Sequence, residues 1–372
     1  MDQNNANYTP VYKPLLVGNE KKYVNKCLDS TWISSKGEFV SKFEESFSTF
    51  LNVAHSTSVS NGTVALHLAL LSLGIGEGDE VIVPTLTYIA SVNAIAYVGA
   101  KPVFVDSDKK TWNIDPDKLL ELITPETKAI MVVHLYGNSC DMDGIVKICK
   151  EHDIFLIEDA AEAFGTKYNN KYVGTFGDVA TFSFFGNKTI TTGEGGMLVT
   201  NNKLLIDKAS HLKNQGVSSN KEYWHDVIGF NYRMTNICAA IGLAQLEGAE
   251  VVLQKKMQIA SWYREFLEGA QVRFQDEQAG STHSYWMVIV LVKDKNTRIR
   301  VRSYLDNHNV ETRPIFYPSH KMPVFYSEKS FSVAESISDK GINLPSSPSL
   351  TKSDVKYICT LIDKAIKLVE DV

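Results

Sequence analysis

Short apolar runs alternate with longer segments of helical character through the first two thirds of the chain. The runs Val81–Pro84, Pro102–Asp106, Ala129–Leu135, Phe155–Glu158, Ala180–Phe185 and Gly196–Thr200 predict strands. Between them, Thr63–Leu73, Tyr88–Val98, Asp117–Ile123 and Met142–His152 predict helices. Several strand candidates are apolar throughout rather than alternating, the pattern of a sheet covered by helices on both faces. The alternation of strand and helix predicts an α/β fold on a mainly parallel sheet. A long helical region follows from Thr235 to about Gly269. The pattern then changes: Ser284–Val292 reads as a strand, Thr297–Asn307 as a helix and Thr351–Val369 as a terminal helix. We place a boundary near Gly248, with a large domain over residues 1–248 and a smaller α+β domain over 249–372. No internal repeat or low-complexity tract interrupts this plan.

Composition narrows the class. The 372 residues suffice for about two domains. A hydrophobic content of 44% with 22% charged residues excludes collagen-like, disordered and disulfide-scaffold chains. The 38 Lys and Arg against 43 Asp and Glu give a formal charge of −5, without the basic excess of a nucleic-acid binder. The densest basic stretch, Lys293 to Arg302, reads as the solvated start of a helix with Thr297 as its N-cap rather than a phosphate-binding patch. The five cysteines, Cys27, Cys140, Cys149, Cys238 and Cys359, are odd in number and contain no CxxC pair. That spacing predicts a reducing, cytoplasmic setting without a disulfide framework or zinc site. The polar start MDQNNANYTP has no signal-like apolar region, and runs such as Ile154–Ile157 and Met287–Val292 are too short to span a membrane.

Three local features could carry chemistry. Lys188 ends the largely apolar and aromatic run TFSFFGNK and is followed by TITTGEGG. A lysine desolvated at a strand end loses ammonium stability and offers a nucleophilic amine for a Schiff base. The competing reading is a lysine reaching to solvent. Asp159 follows the apolar run in IFLIEDAAEAFG, where open α/β sheets place ligands, and could face a protonated ring nitrogen; the competing reading is a cap for the next helix, with Glu162 completing it. In SNGTVALHLALL, Gly62 and Thr63 open a helix whose free N–H groups could bind phosphate. The glycines Gly74, Gly76 and Gly78 follow a helix and precede a strand, the reverse of a dinucleotide fingerprint, and read as a helix C-terminal turn. No Walker or HExxH motif occurs, the nine histidines show no ligand spacing, and His67 reads as a satisfied core histidine. A phosphate-binding helix start, a strand-end Asp and a strand-end Lys together match what pyridoxal phosphate requires.

At this point a family resemblance emerges. The stretches STWISSKG, SNGTVALHLAL, GDEVIVPTLTYIAS, EDAAEAFG, TFSFFGNKTITTGEGGM, GFNYRMTNICAAIGLAQL and ETRPIFYPSH lie between Ser30 and His320, within a resemblance that runs from about Tyr8 to the C-terminal helix. They resemble the pyridoxal-phosphate-dependent sugar-nucleotide aminotransferases of the DegT type. The resemblance implies fold type I, the aspartate aminotransferase-like architecture, and pyridoxal 5′-phosphate cycling through pyridoxamine 5′-phosphate. It implies Lys188 as Schiff-base lysine and proton shuttle, Asp159 as partner of the ring nitrogen and Tyr88 as the ring stacked on the cofactor. Gly62, Thr63 and Ser183 match the phosphate cup, and Glu162 lies near the ring hydroxyl, where many relatives carry Gln or His. Asn231 matches a residue that reaches the neighbouring subunit's cofactor, implying a homodimer with shared sites. Trp32, Ser34, Arg313, Tyr317 and His320 lie in stretches that line the sugar-nucleotide side in relatives. The implied substrates are L-glutamate and GDP-4-keto-6-deoxymannose, for a surface polysaccharide such as O-antigen. The same transfer on a UDP- or dTDP-linked ketone, and a non-catalytic cofactor-binding sensor, stay open. A sugar dehydratase, with His in place of Lys188, and a nicotinamide dehydrogenase are disfavoured.

Overall fold

The computed structural model describes residues 8–370. Its centre is a seven-stranded sheet in the order His55–Val59, Gly196–Thr200, Val179–Ser183, Phe155–Asp159, Thr127–Val133, Glu80–Pro84 and Lys101–Val105. Neighbours run parallel from Val179–Ser183 to Lys101–Val105, whereas Gly196–Thr200 is antiparallel to both strands that flank it. The sheet is therefore mixed and mostly parallel. His55–Val59 escaped the apolar criterion because its sequence, HSTSV, is polar. Its buried Ser58 is satisfied by Glu44, whose carboxylate accepts both the backbone N–H at 2.6 Å and the hydroxyl at 2.8 Å.

Helices cover both faces. On one, Phe39, Phe43 and Phe47 of helix Glu38–Leu51 pack with Phe182, Phe184 and Leu243. On the other, helix Gly62–Leu73 is buried around most of its circumference. This explains its near-continuous apolar sequence. His67 on this helix is buried with Nδ1 3.2 Å from the Tyr232 hydroxyl, a satisfied core position as expected. Gly74 ends the helix in the left-handed conformation at φ 81°, so the glycine cluster opens with a helix cap.

A second, four-stranded antiparallel sheet has the order Arg273–Phe274, Val288–Leu291, Gly341–Leu344, Arg313–Pro314. Helices Ala249–Phe266, Lys295–Asp306 and Lys352–Glu370 close over it. The long helical region is two helices, Asn236–Glu247 and Ala249–Phe266, bent by 63°. Among the described residues no single helix is long and apolar enough to cross a membrane.

Two local expectations need correction. Asp117–Ile123 forms two short 3₁₀ turns, Pro116–Lys118 and Leu120–Leu122, rather than one helix. So short a segment cannot offset the cost of α-helix nucleation. The cap of helix Lys295–Asp306 is Asp294, not Thr297: its carboxylate accepts from Thr297 N at 2.8 Å and from the Thr297 hydroxyl at 3.0 Å. Thr297 instead supplies the donors that the charged cap requires.

One glycine fixes the junction between sheet and site. A Cβ on Gly196 would lie 2.6 Å from the Asn61 carbonyl oxygen and 2.9 Å from Gly62 N. Backbone on backbone cannot yield as a side chain can. Gly196→Ala is therefore expected to destabilise the protein by about 1–3 kcal/mol, read as a lower urea midpoint; an unchanged midpoint would show that the helix start is free to move.

Candidate active site

A cavity of about 640 Å³ opens at the carboxyl ends of the large sheet's strands. Asp159 and Ser183 are the last residues of their strands, and Val133 ends the strand beside Asp159. Chain direction alone delivers these residues to one rim, since parallel strands share their carboxyl edge. The cavity wall contains Gly62, Thr63, Tyr88, Asp159, Glu162, Ser183, Lys188 and Arg313 from the sequence expectations.

At one end, helix Gly62–Leu73 points its N-terminus into the cavity. Asn61 caps it, its side-chain oxygen accepting from Val64 N at 3.0 Å. The first N–H groups of the helix have no acceptor within it. A Cβ on Gly62 would stand 2.8 Å from Ser183 Cβ, so only glycine lets the helix start approach that hydroxyl. Backbone N–H groups, the helix dipole and the Thr63 and Ser183 hydroxyls form a cradle for a phosphate.

At the other end, both Asp159 oxygens are held. Ser91 Oγ donates to Oδ2 at 2.7 Å and Ala161 N donates to Oδ1 at 3.1 Å. No helix follows, so Asp159 does not cap one; residues 160–165 form turns. Burial raises the Asp159 carboxyl above its ordinary range despite these donors and the nearby Lys188 and His134. Glu162 is not a helix cap either. It accepts from Tyr136 N at 2.8 Å and is pushed by burial to about 7. Lys188 lies in the turn after strand Val179–Ser183, its amine 4.0 Å from the Trp286 ring centroid. Burial lowers its ammonium, opposed by the charges of Glu162 and Asp159. The residue just before Asp159 behaves oppositely. Burial works against the Glu158 carboxylate, but donors from His134, Gly177 and Gly174 hold it below the usual range. Cys140 N donates to His134 Nδ1 at 3.1 Å, which puts the histidine proton on Nε2, facing Glu158 at 3.1 Å.

Tyr88 is 57% exposed and faces the opening, its ring 5.7 Å from that of Phe316. Arg313 forms part of the far wall, its guanidinium 3.1 Å from Glu311. The remaining expected residues are not on this wall. Trp32 borders a separate depression with Asn236, Ser34 and Asn231 are exposed elsewhere, and Tyr317 points to solvent. His320 is fully buried, 2.7 Å from Thr85 Oγ1 and 3.1 Å from Glu335, so it props the Thr85–Tyr88 turn instead of meeting the cavity. Sequence reasoning passed over Trp286, Tyr136 and Ser91. Ser91 closes the quoted GDEVIVPTLTYIAS stretch and was the most accessible of the three to motif reading.

A phosphate cradle, a buried carboxyl held on both oxygens, an amine with lowered proton affinity and an exposed aromatic face fit pyridoxal 5′-phosphate in size and chemistry. The chain matches the DegT/DnrJ/EryC1/StrS aminotransferase family over residues 14–363. It is 58% identical over 359 residues to the GDP-perosamine synthase of Escherichia coli O157:H7, covering 96% of this chain and 98% of that one. It is 51% identical over 358 residues to the GDP-perosamine synthase of Vibrio cholerae, covering 95% and 98%. Among solved structures, the aminotransferase TlmJ from Streptoalloteichus hindustanus superposes with a TM-score of 0.93 at 30% identity, covering 97% of this chain and 100% of that one. The chain belongs to the DegT/DnrJ/EryC1/StrS aminotransferase family, and its cofactor is pyridoxal 5′-phosphate.

Proposed function

We propose that this chain transfers the amino group of L-glutamate to C4 of GDP-4-keto-6-deoxymannose, giving GDP-perosamine for a surface polysaccharide. The observation that carries the reading is the meeting of Lys188, Asp159 and Glu162 with the Gly62–Thr63–Ser183 cradle in one cavity. The near full-length similarity to two GDP-perosamine synthases supports the sugar class.

The bound cofactor supplies an electron sink for the charge left when a proton leaves a nitrogen-bearing carbon. The chain's residues do the rest. Thr63, Ser183 and the helix start would hold the phosphate. Asp159 would serve the ring nitrogen, a cationic partner that favours its ionised form. Tyr88 would offer its aromatic face to the ring. The Lys188 amine takes the proton from Cα of L-glutamate and later delivers one to C4 of the sugar; burial lowers its proton affinity, which favours the free amine this role needs. Glu162 can hold a proton beside it. Arg313 offers a guanidinium to the diphosphate, exchanging Glu311 for phosphate oxygens. The position of Asn231 outside its own chain's cavity supports a homodimer in which it reaches the neighbouring site, with Trp32, Ser34 and Tyr317 on faces a partner could complete. Under the same reading His320 acts on substrate only through the turn it props, and residues 1–248 and 249–372 act as large and small domains.

The direct test is absorbance in two additions to the cofactor-loaded protein. L-Glutamate should bleach the yellow band, and GDP-4-keto-6-deoxymannose, added after glutamate is removed, should restore it. Bleaching without return would remove the sugar assignment and leave the donor. Lys188→Ala should stay folded and lose about 10³-fold or more of kcat, measured with both substrates; near-normal turnover would overturn its role. Glu162→Gln tests the buried carboxyl in cofactor-free protein. A pKa raised from 4.5 to about 7 stabilises the fold at low pH and loses that contribution as pH rises through about 7. The Gln variant should therefore gain stability relative to wild type between these values, reaching roughly 3 kcal/mol above pH 7. Parallel pH curves for the two proteins would refute it.

A further inference from the structure

The backbone around Lys188 is gripped from outside its own sheet. The Tyr12 hydroxyl donates to the Lys188 carbonyl at 2.7 Å, and Trp286 Nε1 donates to the Asn187 carbonyl at 2.7 Å. Lys188 N is itself bonded to the Phe185 carbonyl at 2.9 Å, so its N–H and its C=O are both held. Trp286 leads into strand Val288–Leu291 of the small sheet. Tyr12 lies on an N-terminal segment tied to the residues that follow strand Gly341–Leu344. Ser346 N donates to the Val11 carbonyl at 2.8 Å, and Ser347 Oγ donates to the Lys13 carbonyl at 2.8 Å.

Behind Tyr12 stands a buried cation that the proposed chemistry does not use. Lys256, on helix Ala249–Phe266, is 1% exposed. Its Nζ donates to the Ser346 carbonyl at 2.9 Å and lies 4.7 Å from the Tyr12 ring centroid. No carboxylate pairs with it among the described residues. Burial alone pushes its ammonium down to about 7. A buried cation with a single carbonyl acceptor adds little net stability, and an apolar chain of equal length would serve a core as well. What this one does is specific. It attracts the face of the Tyr12 ring and pins the carbonyl beside it, and both contacts orient the phenol. Burial raises the Tyr12 phenol further above its ordinary value, so the hydroxyl remains a donor to Lys188.

We infer that Tyr12, seated by Lys256, is a positioning residue for Lys188: its hydroxyl fixes the Lys188 peptide and so sets where the amine stands in the cavity. The inference rests on the reading of Lys188 as the amine that carries the cofactor and moves the proton. A long, flexible side chain amplifies any turn of its own peptide, and a misplacement of about 1 Å can cost about 10²-fold in rate.

The test compares cofactor-loaded wild type, Tyr12→Phe and Lys256→Met. Tyr12→Phe keeps the ring and removes only the donor. It should bind one cofactor per chain and lower kcat of the glutamate half-reaction about tenfold or more, with KM within about threefold. The pH midpoint of the lysine-bound cofactor band should also move by about half a unit or more, a readout that a merely structural role would leave unmoved. Lys256→Met should change both quantities in the same direction; wild-type values in that variant would overturn the part given to Lys256. Should Lys256→Met fail to fold, Tyr12→Phe decides alone, and its having wild-type midpoint and kcat would overturn the inference. Lys188→Ala separates the two readings. If it keeps the lysine-bound band, the reading of Lys188 falls; if it loses the band while Tyr12→Phe is unchanged, only the inference falls.

Discussion

Lys188, Asp159 and Glu162 share one desolvated space, and the architecture around them follows from that. Burial lowers the proton affinity of the amine and raises that of both carboxyls; Lys188 favours the charge of each carboxyl, whereas Asp159 opposes that of Glu162. Burial thus shifts each of the three groups towards its neutral form. Holding them together requires backbone that would otherwise be unfavourable. Tyr136, a buried residue at φ 58°, turns its N–H onto Glu162. Its ring is stacked on those of Trp286 and Phe316, which secures a conformation that an isolated tyrosine would leave.

The adjacent carboxyls Glu158 and Asp159 show how one strand separates structure from chemistry. Successive side chains of a strand point to opposite faces. Glu158 therefore turns away from the cavity, where His134 and the N–H groups of Gly174, Phe176 and Gly177 satisfy it. This closes the 174–177 turn onto the sheet and keeps the carboxylate ionised. Asp159 receives only two donors and faces the cavity. Both are buried, so the additional donors on Glu158, His134 among them, account for the opposite directions of their proton affinities.

The parallel strands and the site residues near them were legible because both obey local rules. Apolar runs mark buried strands, and SNGT opens a helix and Asp159 ends a strand, positions where ligands collect; Lys188, expected at a strand end, follows its strand in a turn. What escaped depends on partners distant in sequence. His55–Val59 is a strand because Glu44 satisfies its serine and Gly196–Thr200 pairs with it, neither of which its own residues announce. Thr297 has the right residue type for a cap, but Asp294, three residues earlier, offers a charged acceptor and wins the helix start. His320 shares a stretch with Arg313, yet the chain folds it inward onto Thr85, while Arg313, Pro314 and Phe316 of that stretch line the cavity. Tyr12 and Trp286 carry no motif at all, and their contacts span 176 and 99 residues.

These long-range contacts link the Lys188 peptide to the residues beside Arg313. Glu311 holds the Arg313 guanidinium through one oxygen and accepts from Val11 N at 2.9 Å through the other. The residue after Val11 is Tyr12, whose hydroxyl holds the Lys188 peptide. A diphosphate that draws Arg313 away from Glu311 would free only the oxygen that does not hold this segment. That exchange is cheap, because Arg313 is exposed and such a pair contributes only about 0–1 kcal/mol. The backbone bond from Val11 to Glu311 does not depend on the guanidinium, so the segment keeps its place when the arginine turns. The Arg313 end of the cavity can therefore rearrange while the Lys188 end stays fixed.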